Sequence, residues 1–265
     1  MRRLTRYAQI LGIQLRASAT VGMQYRLDFL IEGLTTVFWM LVTLTPLFVI
    51  FGGRKSIAGW SYPEALVVVG WFTLLKGVLD GAINPSLLAL IEYVRKGTLD
   101  FVLIKPVDAQ FLVSTAKFDP WRLFDGLGAF AIFGYAFVQL GRGPSVGNVA
   151  AALVLLLAAR LVLYSILVMV VSIAFVAVRV DNLTYFFNSI FDAARWPISV
   201  FRGALRFVFT FVFPLAVMTS FPALALLGKL ELPTAVGAVA GGLLFSALAR
   251  MAWRASVRQY TSASS

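Results

Sequence analysis

Charged side chains within apolar stretches are the residues of this sequence best suited to chemistry. Lys76 and Asp80 lie four positions apart in one such stretch, so on a helix they share a face and could pair. Asp192 and Arg195 lie three positions apart in a later stretch, and Arg160 falls within a long apolar run. Because charge in a membrane is costly, these residues predict the lining of a substrate path or a proton relay. Local ion pairing, or snorkelling of the Lys and Arg side chains to an interface, is the alternative.

Other kinds of chemistry are disfavoured by what the sequence lacks. The chain has no Cys and no His, which removes the usual ligands of zinc, haem and iron–sulfur clusters and the commonest general base. The nucleotide-binding pattern G-x-x-x-x-G-K-[ST] is absent, as are hydrolase elbows and metal-binding helix motifs. We therefore expect no catalytic residue, metal site or cofactor in this chain, and no enzymatic activity of its own.

The composition is that of a membrane protein. The 265 residues are 60% hydrophobic and 13% charged, with a mean hydropathy of +0.88. Several apolar stretches approach the ~20 residues that cross a hydrocarbon layer as a helix, and strand-like alternation is absent. The sequence thus predicts an all-α integral membrane protein. The net charge of +11 is spread between apolar stretches, which indicates contact with membrane lipid and excludes nucleic acid as the expected partner.

The apolar runs predict six transmembrane helices in a single domain, residues 1–265. An N-terminal amphipathic surface helix (1–28) precedes a six-span bundle (29–253) and a cytosolic tail (254–265). The start is not typical of a cleavable signal peptide, so we expect the first long run to act as an uncleaved anchor. In the last span, Gly237-x-x-x-Gly241 could mark close helix packing. The predicted spans are 29–51, 65–83, 124–140, 149–178, either 183–200 or 207–227, and 236–253.

The pattern leaves two questions: which stretch forms the fifth span, and on which side of the membrane the termini lie. Pro214 and Pro222 split the run 207–227 into pieces too short to cross singly, so 183–200 could span instead, with 202–227 as a re-entrant outer hairpin. Lys and Arg residues number 14 on one side of the predicted bundle and six on the other. The positive-inside rule then places both termini in the cytosol.

The longest predicted cytosolic segment, 85–122, begins with an amphipathic helix, Leu87–Lys96, that Gly97 ends. The segment is amphipathic and mixed in charge, which favours docking of a cytosolic partner. A helix resting on lipid headgroups is the alternative. The side chains that we expect to make this contact are Leu88, Leu90, Ile91, Glu92, Tyr93, Arg95 and Lys96.

Several stretches, in this order and spacing, resemble the membrane subunits of ATP-binding-cassette (ABC) transporters, in particular a bacterial six-span branch of the type-2 exporter superfamily. The resemblance covers nearly the whole chain apart from the Ser-rich tail. The stretches that carry it are Tyr25-Arg26-Leu27-Asp28-Phe29-Leu30, the run from Val94 through Gly97-Thr98-Leu99-Asp100 and Lys105-Pro106-Val107 to Asp108, Phe118-Asp119-Pro120-Trp121, Phe213-Pro214-Leu215-Ala216 and Phe221-Pro222-Ala223-Leu224.

The resemblance implies a permease that forms half of a translocation pathway in a bacterial inner membrane. It implies a second permease, identical or homologous, and two copies of a cytosolic ATP-binding subunit that binds ATP and Mg. It also implies that Leu87–Lys96 is a cytosolic coupling helix between spans two and three, and that the re-entrant pair falls at 202–227, which makes 183–200 the fifth span. An ion-coupled secondary transporter and a non-transporting membrane scaffold are the alternative functions.

Overall fold

The computed structural model describes residues 2–23, 26–175 and 181–260, and the regular elements within these ranges are helices. Short π-helical or 3-10 turns join some of them end to end. The helices are α1 Arg2–Met23, α2 Arg26–Phe51, α3 Tyr62–Arg95, α4 Asp100–Leu103, α5 Ala109–Ser114, α6 Leu123–Leu140, α7 Val146–Ser172, α8 Asp181–Phe191, α9 Gly203–Val212, α10 Ala216–Leu226 and α11 Leu232–Gln259.

Among the described residues, five helices are long and apolar enough to cross a membrane: α2, α3, α6, α7 and α11. A sixth candidate is the pair α9 and α10, which is bent by 71°. The prediction of an all-α membrane protein is therefore confirmed. Most of α3 and more than half of α7 are buried inside the chain, whereas α2, α6 and α11 are largely exposed around them. The two buried helices form the centre of the bundle.

Local sequence signals set the ends of these helices. Ser61 precedes α3, and its amide donates a 3.0 Å hydrogen bond to the Glu64 carboxylate as part of a capping box. Ser145 precedes α7 and accepts from the Asn148 amide at 3.2 Å. Gly141 ends α6 at φ +65°, a left-handed conformation that glycine adopts without strain. These signals agree with the turns that the sequence predicts.

Contacts between distant residues define two ends of the bundle. At the short-loop end, which comprises residues 52–61, 141–145 and 227–231, the Lys229 ammonium is 2.5 Å from the Glu64 carboxylate. At the long-loop end, which comprises residues 96–122 and the end of α11, Arg250 pairs with Asp108. The N-terminal helix α1 also packs at this end, where Tyr7 makes an edge contact with Phe111 at 4.8 Å between ring centroids.

The chain segment that contains α8 runs along α3 toward the short-loop end. Its Asn188 lies 3.5 Å from Asn84, and Phe191 stacks on Phe72 with ring centroids 5.4 Å apart. Ser199 then donates to the Ala58 carbonyl and accepts from the Trp60 indole, both at 3.0 Å. The successive partners of this segment, Asn84, Phe72 and Ala58, lie closer and closer to the short-loop end. The segment thus runs antiparallel to α3.

Helices α9 and α10 form a bent pair that is preceded and followed by contacts at the short-loop end. Before this pair, Ser199 bonds the 57–60 turn, and after it Lys229 bonds Glu64 at the start of α3. Within it, the Thr219 hydroxyl reaches the Ala194 carbonyl at 2.8 Å and is fully buried. Residues 202–227 thus begin and end near the same end of the bundle. The hydropathy of this segment alone does not reveal it, because two half-length apolar helices resemble one span.

A helix is present at the predicted position Leu87–Lys96, but it continues the preceding span, because α3 runs without a break from Tyr62 to Arg95, about 51 Å at 1.5 Å per residue. Pro85 does not end it, although a proline lacks the amide that would bond the carbonyl four residues earlier. A π-helical turn, Leu79–Ile83, precedes Pro85, and the Gly81 carbonyl accepts instead from the Asp119 amide at 2.8 Å. The loop thus satisfies the group that the proline leaves unbonded.

Other boundaries also differ from the prediction. The crossing predicted at 183–200 is not one continuous helix, since α8 passes into a 3-10 turn at Asp192–Arg195 and Trp196 is extended before Pro197. The end of the predicted span 149–178 lies partly outside the described residues. On α11, Gly237 and Gly241 have no atom close to where a Cβ would lie, so the helix packs on α7 elsewhere. The close approach is made by Gly242, where an added Cβ would lie 3.2 Å from the Ala158 carbonyl oxygen.

Candidate functional site

Residues 108–119 at the long-loop end form what we term the junction segment, because they bond to four helices that are otherwise far apart in the chain. Helix α5 lies within it and is capped by the preceding Asp108, whose carboxylate accepts from the Phe111 amide at 3.1 Å. A loop of this length would ordinarily be mobile. Here its backbone and side chains are fixed by partners on α1, α3, α7 and α11.

The strongest attachment is an arginine clamp from α11. The Arg250 guanidinium donates to both carboxylate oxygens of Asp108, one of them at 3.2 Å, and to the Gln110 amide oxygen at 2.5 Å. Bidentate pairing of this kind fixes orientation as well as distance. The Gln110 amide in turn donates to the Tyr164 hydroxyl of α7 at 3.1 Å, and Ser114 lies 2.6 Å from the same hydroxyl. The clamp thus joins the junction segment to both α7 and α11.

The charge of Asp108 is favoured by this environment. Partial burial alone would raise the pKa of the Asp108 carboxyl, but hydrogen bonds from Arg250 and from the Phe111 amide outweigh it and lower that pKa below its ordinary value. At neutral pH the carboxylate is therefore ionised. The ion pair between Asp108 and Arg250 is then complete.

The junction segment is also tied to α1 and α3. The Thr115 hydroxyl donates to the Gln14 amide oxygen at 2.7 Å, and the Phe118 amide donates to the Ser18 hydroxyl at 3.1 Å. On α3, the buried Ser86 hydroxyl donates to the Lys117 carbonyl at 2.8 Å. A displacement of this segment would therefore be transmitted to four helices at once.

A second cluster lies between α2, α3 and α6. Lys76 and Asp80 are 3.4 Å apart, which confirms that they share a face and pair. Arg122 lies 4.0 Å from Asp80 and 3.6 Å from Asp125. Together with Glu32 of α2, these side chains line a cavity of about 290 Å³. We refer to it as the charged cavity.

The other predicted intramembrane charges are not part of the charged cavity. Asp192 and Arg195 pair at 3.5 Å on their own turn, and the Arg195 guanidinium lies over the Phe72 ring, 5.5 Å from its centroid. Arg160 is exposed on the outer face of α7, one turn from Tyr164. The structure therefore separates the five predicted residues into three places.

The residues predicted to contact a partner differ in accessibility. Leu90 and Ile91 are 1% and 6% exposed and belong to the core of the bundle. Leu88 is exposed, Tyr93 is half-buried, and Arg95 is exposed. Glu92 and Lys96 are exposed and pair with each other at 3.0 Å. The contact role of this set stays a prediction, but a partner of this chain would meet only its exposed members.

Sequence reasoning missed the residues that complete both clusters. Glu32, Arg122 and Asp125 could have been found, because each lies within or beside an apolar run, where charge is costly. Asp108 and Arg250 are 142 positions apart, and no periodicity relates them. Only the fold brings that pair together.

The geometry defines a class: a polytopic helical membrane protein in which one long loop is bonded to both central and peripheral helices. Comparison with known families then identifies the family. The profile described as "ABC-2 family transporter protein" matches residues 37–264. The chain belongs to this family of ABC transporter membrane components. No curated protein and no solved structure gives a significant match to it.

Proposed function

We propose that this chain is the permease subunit of an ABC exporter, in which ATP hydrolysis by a separate cytosolic subunit drives substrate across the membrane. The observation that carries the proposal is the junction segment within a chain of this family. ATP and Mg would be bound by two copies of the partner, and a second permease, identical or homologous, would complete the pathway. A cycle of ATP binding and hydrolysis would move the junction segment, and with it the helices to which it is bonded, as a rigid body.

The surface that fits the ATP-binding partner best lies on α4. Phe101 and Ile104 are 67% and 77% exposed, although they belong to a segment that is otherwise held against the bundle. Lys105 and Pro106 beside them are also exposed. Large apolar side chains that protrude at a polar end of a membrane protein are typical of a protein contact. We therefore propose that Phe101 and Ile104, together with Leu88, Glu92 and Arg95, face the partner.

Co-purification tests this surface. The wild-type chain, expressed with its cognate ATP-binding subunit, should retain that subunit through detergent purification. The double variant Phe101→Asp, Ile104→Asp is expected to retain at least tenfold less, because two carboxylates would be buried in an apolar contact. Leu88→Asp is the matched comparison on α3. If Leu88→Asp alone abolishes retention, the contact lies on the end of α3. If the wild-type chain retains no ATP-binding subunit, the proposed function itself is contradicted.

The proposed orientation places the long-loop end and both termini in the cytosol of a bacterium, with the chain in the inner membrane. The excess of Lys and Arg at that end supports it. Because the chain has no Cys, single cysteines can be introduced without a background. We predict that Arg202→Cys and Glu231→Cys, which flank the re-entrant hairpin, are labelled by a membrane-impermeant maleimide in whole cells stripped of their outer membrane. Lys105→Cys should be labelled only after lysis. Labelling of positions 202 and 231 from opposite sides would contradict the hairpin.

A further inference from the structure

The charged cavity has an imbalance of charge that points to a ligand. Three carboxylates line it, those of Glu32, Asp80 and Asp125, against two cations, Lys76 and Arg122. Both cations are already paired: Lys76 with Asp80, and Arg122 with Asp80 and Asp125. With all five groups ionised, the cavity carries one net negative charge. In a site bounded by apolar helices, such a charge is costly unless a cation neutralises it.

Two carboxylates in the cavity have bonding capacity left. Among the described residues, the Glu32 carboxylate has neither a hydrogen bond nor an ion-pair partner. Asp125 is 8% exposed, and its Oδ2 atom accepts no hydrogen bond, although Arg122 lies nearby. A buried acceptor without a donor is unfavourable. A ligand that brings N–H donors would pair with Glu32 directly and, after a rotation of the buried Asp125 carboxylate, with Asp125 as well.

The remaining walls indicate an organic cation. The lining includes the Trp39 indole, and aromatic faces attract cations. In the part of the chain that the structure describes, no three carboxylates are close enough together to hold a metal ion. The volume of about 290 Å³ equals roughly ten water molecules, more than a bare ion needs. An ammonium group on an apolar body matches this combination of charge, donors, aromatic wall and size.

We propose that the charged cavity binds the ammonium group of an amphiphilic molecule, with Glu32 and Asp125 as its acceptors. The group could belong to a transported compound or to the headgroup of an amino-lipid such as phosphatidylethanolamine. As a statement about the substrate class of a transporter, this inference rests on the proposed function. The binding itself is a property of this chain and needs no ATP-binding subunit.

The test is calorimetric titration of the purified chain in maltoside micelles, without the ATP-binding subunit. Phenethylammonium is the probe, and 3-phenylpropionate has a matched apolar body with the opposite charge. We expect saturable binding of phenethylammonium and no binding of 3-phenylpropionate. Glu32→Gln and Asp125→Asn should each weaken it at least tenfold. Lys76→Gln should strengthen it, because that change adds net negative charge, whereas general damage to the fold would weaken binding in every variant.

Glu231→Gln is the matched control, because it removes one exposed carboxylate far from the cavity and should leave the affinity unchanged. Equal binding of 3-phenylpropionate, or wild-type affinity in Glu32→Gln and Asp125→Asn, would overturn the proposal. Added phosphatidylethanolamine distinguishes the two sources of ammonium: competition with the probe identifies a lipid site, and lack of competition a site for a separate compound. Failure of these titrations would leave retention of the ATP-binding subunit unaffected, so the two proposals can fail independently.

Discussion

Replacing Arg250 by alanine is expected to reduce about tenfold the shift that ATP causes in the conformational equilibrium of the bundle. The ATP-binding subunit should remain bound. Arg250 is the bond between α11 and the junction segment, so its loss should leave the proposed partner surface at Phe101 and Ile104 intact. A tenfold change in a conformational equilibrium corresponds to about 1.4 kcal/mol of lost coupling. Spin labels at Lys55→Cys and Glu231→Cys, both at the short-loop end, would report the ATP-dependent change in distance.

The same substitution should also lower stability. Hydrogen bonds to charged groups contribute about 1.5 to 3 kcal/mol. Because the Arg250 and Asp108 side chains remain 37% and 33% exposed, we expect a loss of about 1 to 2 kcal/mol. A double-mutant cycle of Arg250→Ala with Asp108→Ala, measured by thermal unfolding in detergent, isolates the energy of the pair.

Arg254→Ala is the matched control, since Arg254 is exposed on the same helix one turn further on. It should change neither stability nor the ATP-dependent distance. If Arg254→Ala is as damaging as Arg250→Ala, the effect belongs to the charge of α11 and not to the clamp. Unchanged ATP-dependent movement in Arg250→Ala would show that the junction segment acts through its other bonds.

The pH dependence of the clamp has a definite sign. The pKa of Asp108 is lower in the folded protein than in the unfolded chain, where an aspartate titrates at about 3.9. Its contribution is therefore fully present above about pH 4 and is lost as the pH falls through the lower folded value. The difference in stability between wild type and Arg250→Ala should be constant from about pH 5 to pH 8.

Sequence patterns predicted those parts of this fold that depend on local chemistry. The apolar runs predicted the five helices that are long and apolar enough to span a membrane, and the sequence Ser61-Tyr62-Pro63-Glu64 predicted the start of α3. Lys76 and Asp80 were paired correctly because a helix brings residues four apart onto one face. Each of these features depends on residues that are close to it in the sequence.

Features that depend on distant residues were missed. The sequence predicted a span that ends at residue 83 and a new segment from residue 85, but an amide from Asp119, 34 positions after Pro85, replaces the hydrogen bond that the proline cannot make. The burial of Leu90 and Ile91 could not be foreseen either, since an apolar residue on a helix suits a bundle core as well as a partner. The Arg250 clamp and the charged cavity likewise combine side chains from separate helices, and no spacing rule relates them.

The contact between α3 and α6 depends on three glycines of α3 that recur on one face. Gly70, Gly77 and Gly81 are spaced by seven and four residues, which is helical spacing. At Gly77, a Cβ atom would lie 2.8 Å from the Asp125 Cβ and 3.2 Å from the Arg122 carbonyl oxygen. At Gly81, it would lie 2.8 Å from the Arg122 Cβ. The absence of side chains lets α6 approach α3 closely, as small residues do between membrane helices.

Gly77→Leu should therefore separate α3 from α6 and destabilise the chain by about 3 kcal/mol, the upper part of the range for overpacked cores. The obstacle includes the Arg122 backbone immediately before α6, which cannot rotate away as a side chain can. Gly77→Ala should cost less, about 1 to 2 kcal/mol. Gly126→Ala on α6 is the control, because no atom lies within 4 Å of the added methyl group, and it should be neutral or stabilise the helix by up to about 1 kcal/mol. Thermal unfolding in detergent measures all three. Because Arg122 and Asp125 line the charged cavity, Gly77→Leu should also abolish phenethylammonium binding. If Gly77→Leu proves as resistant to heat as Gly126→Ala, the two helices are not in backbone contact.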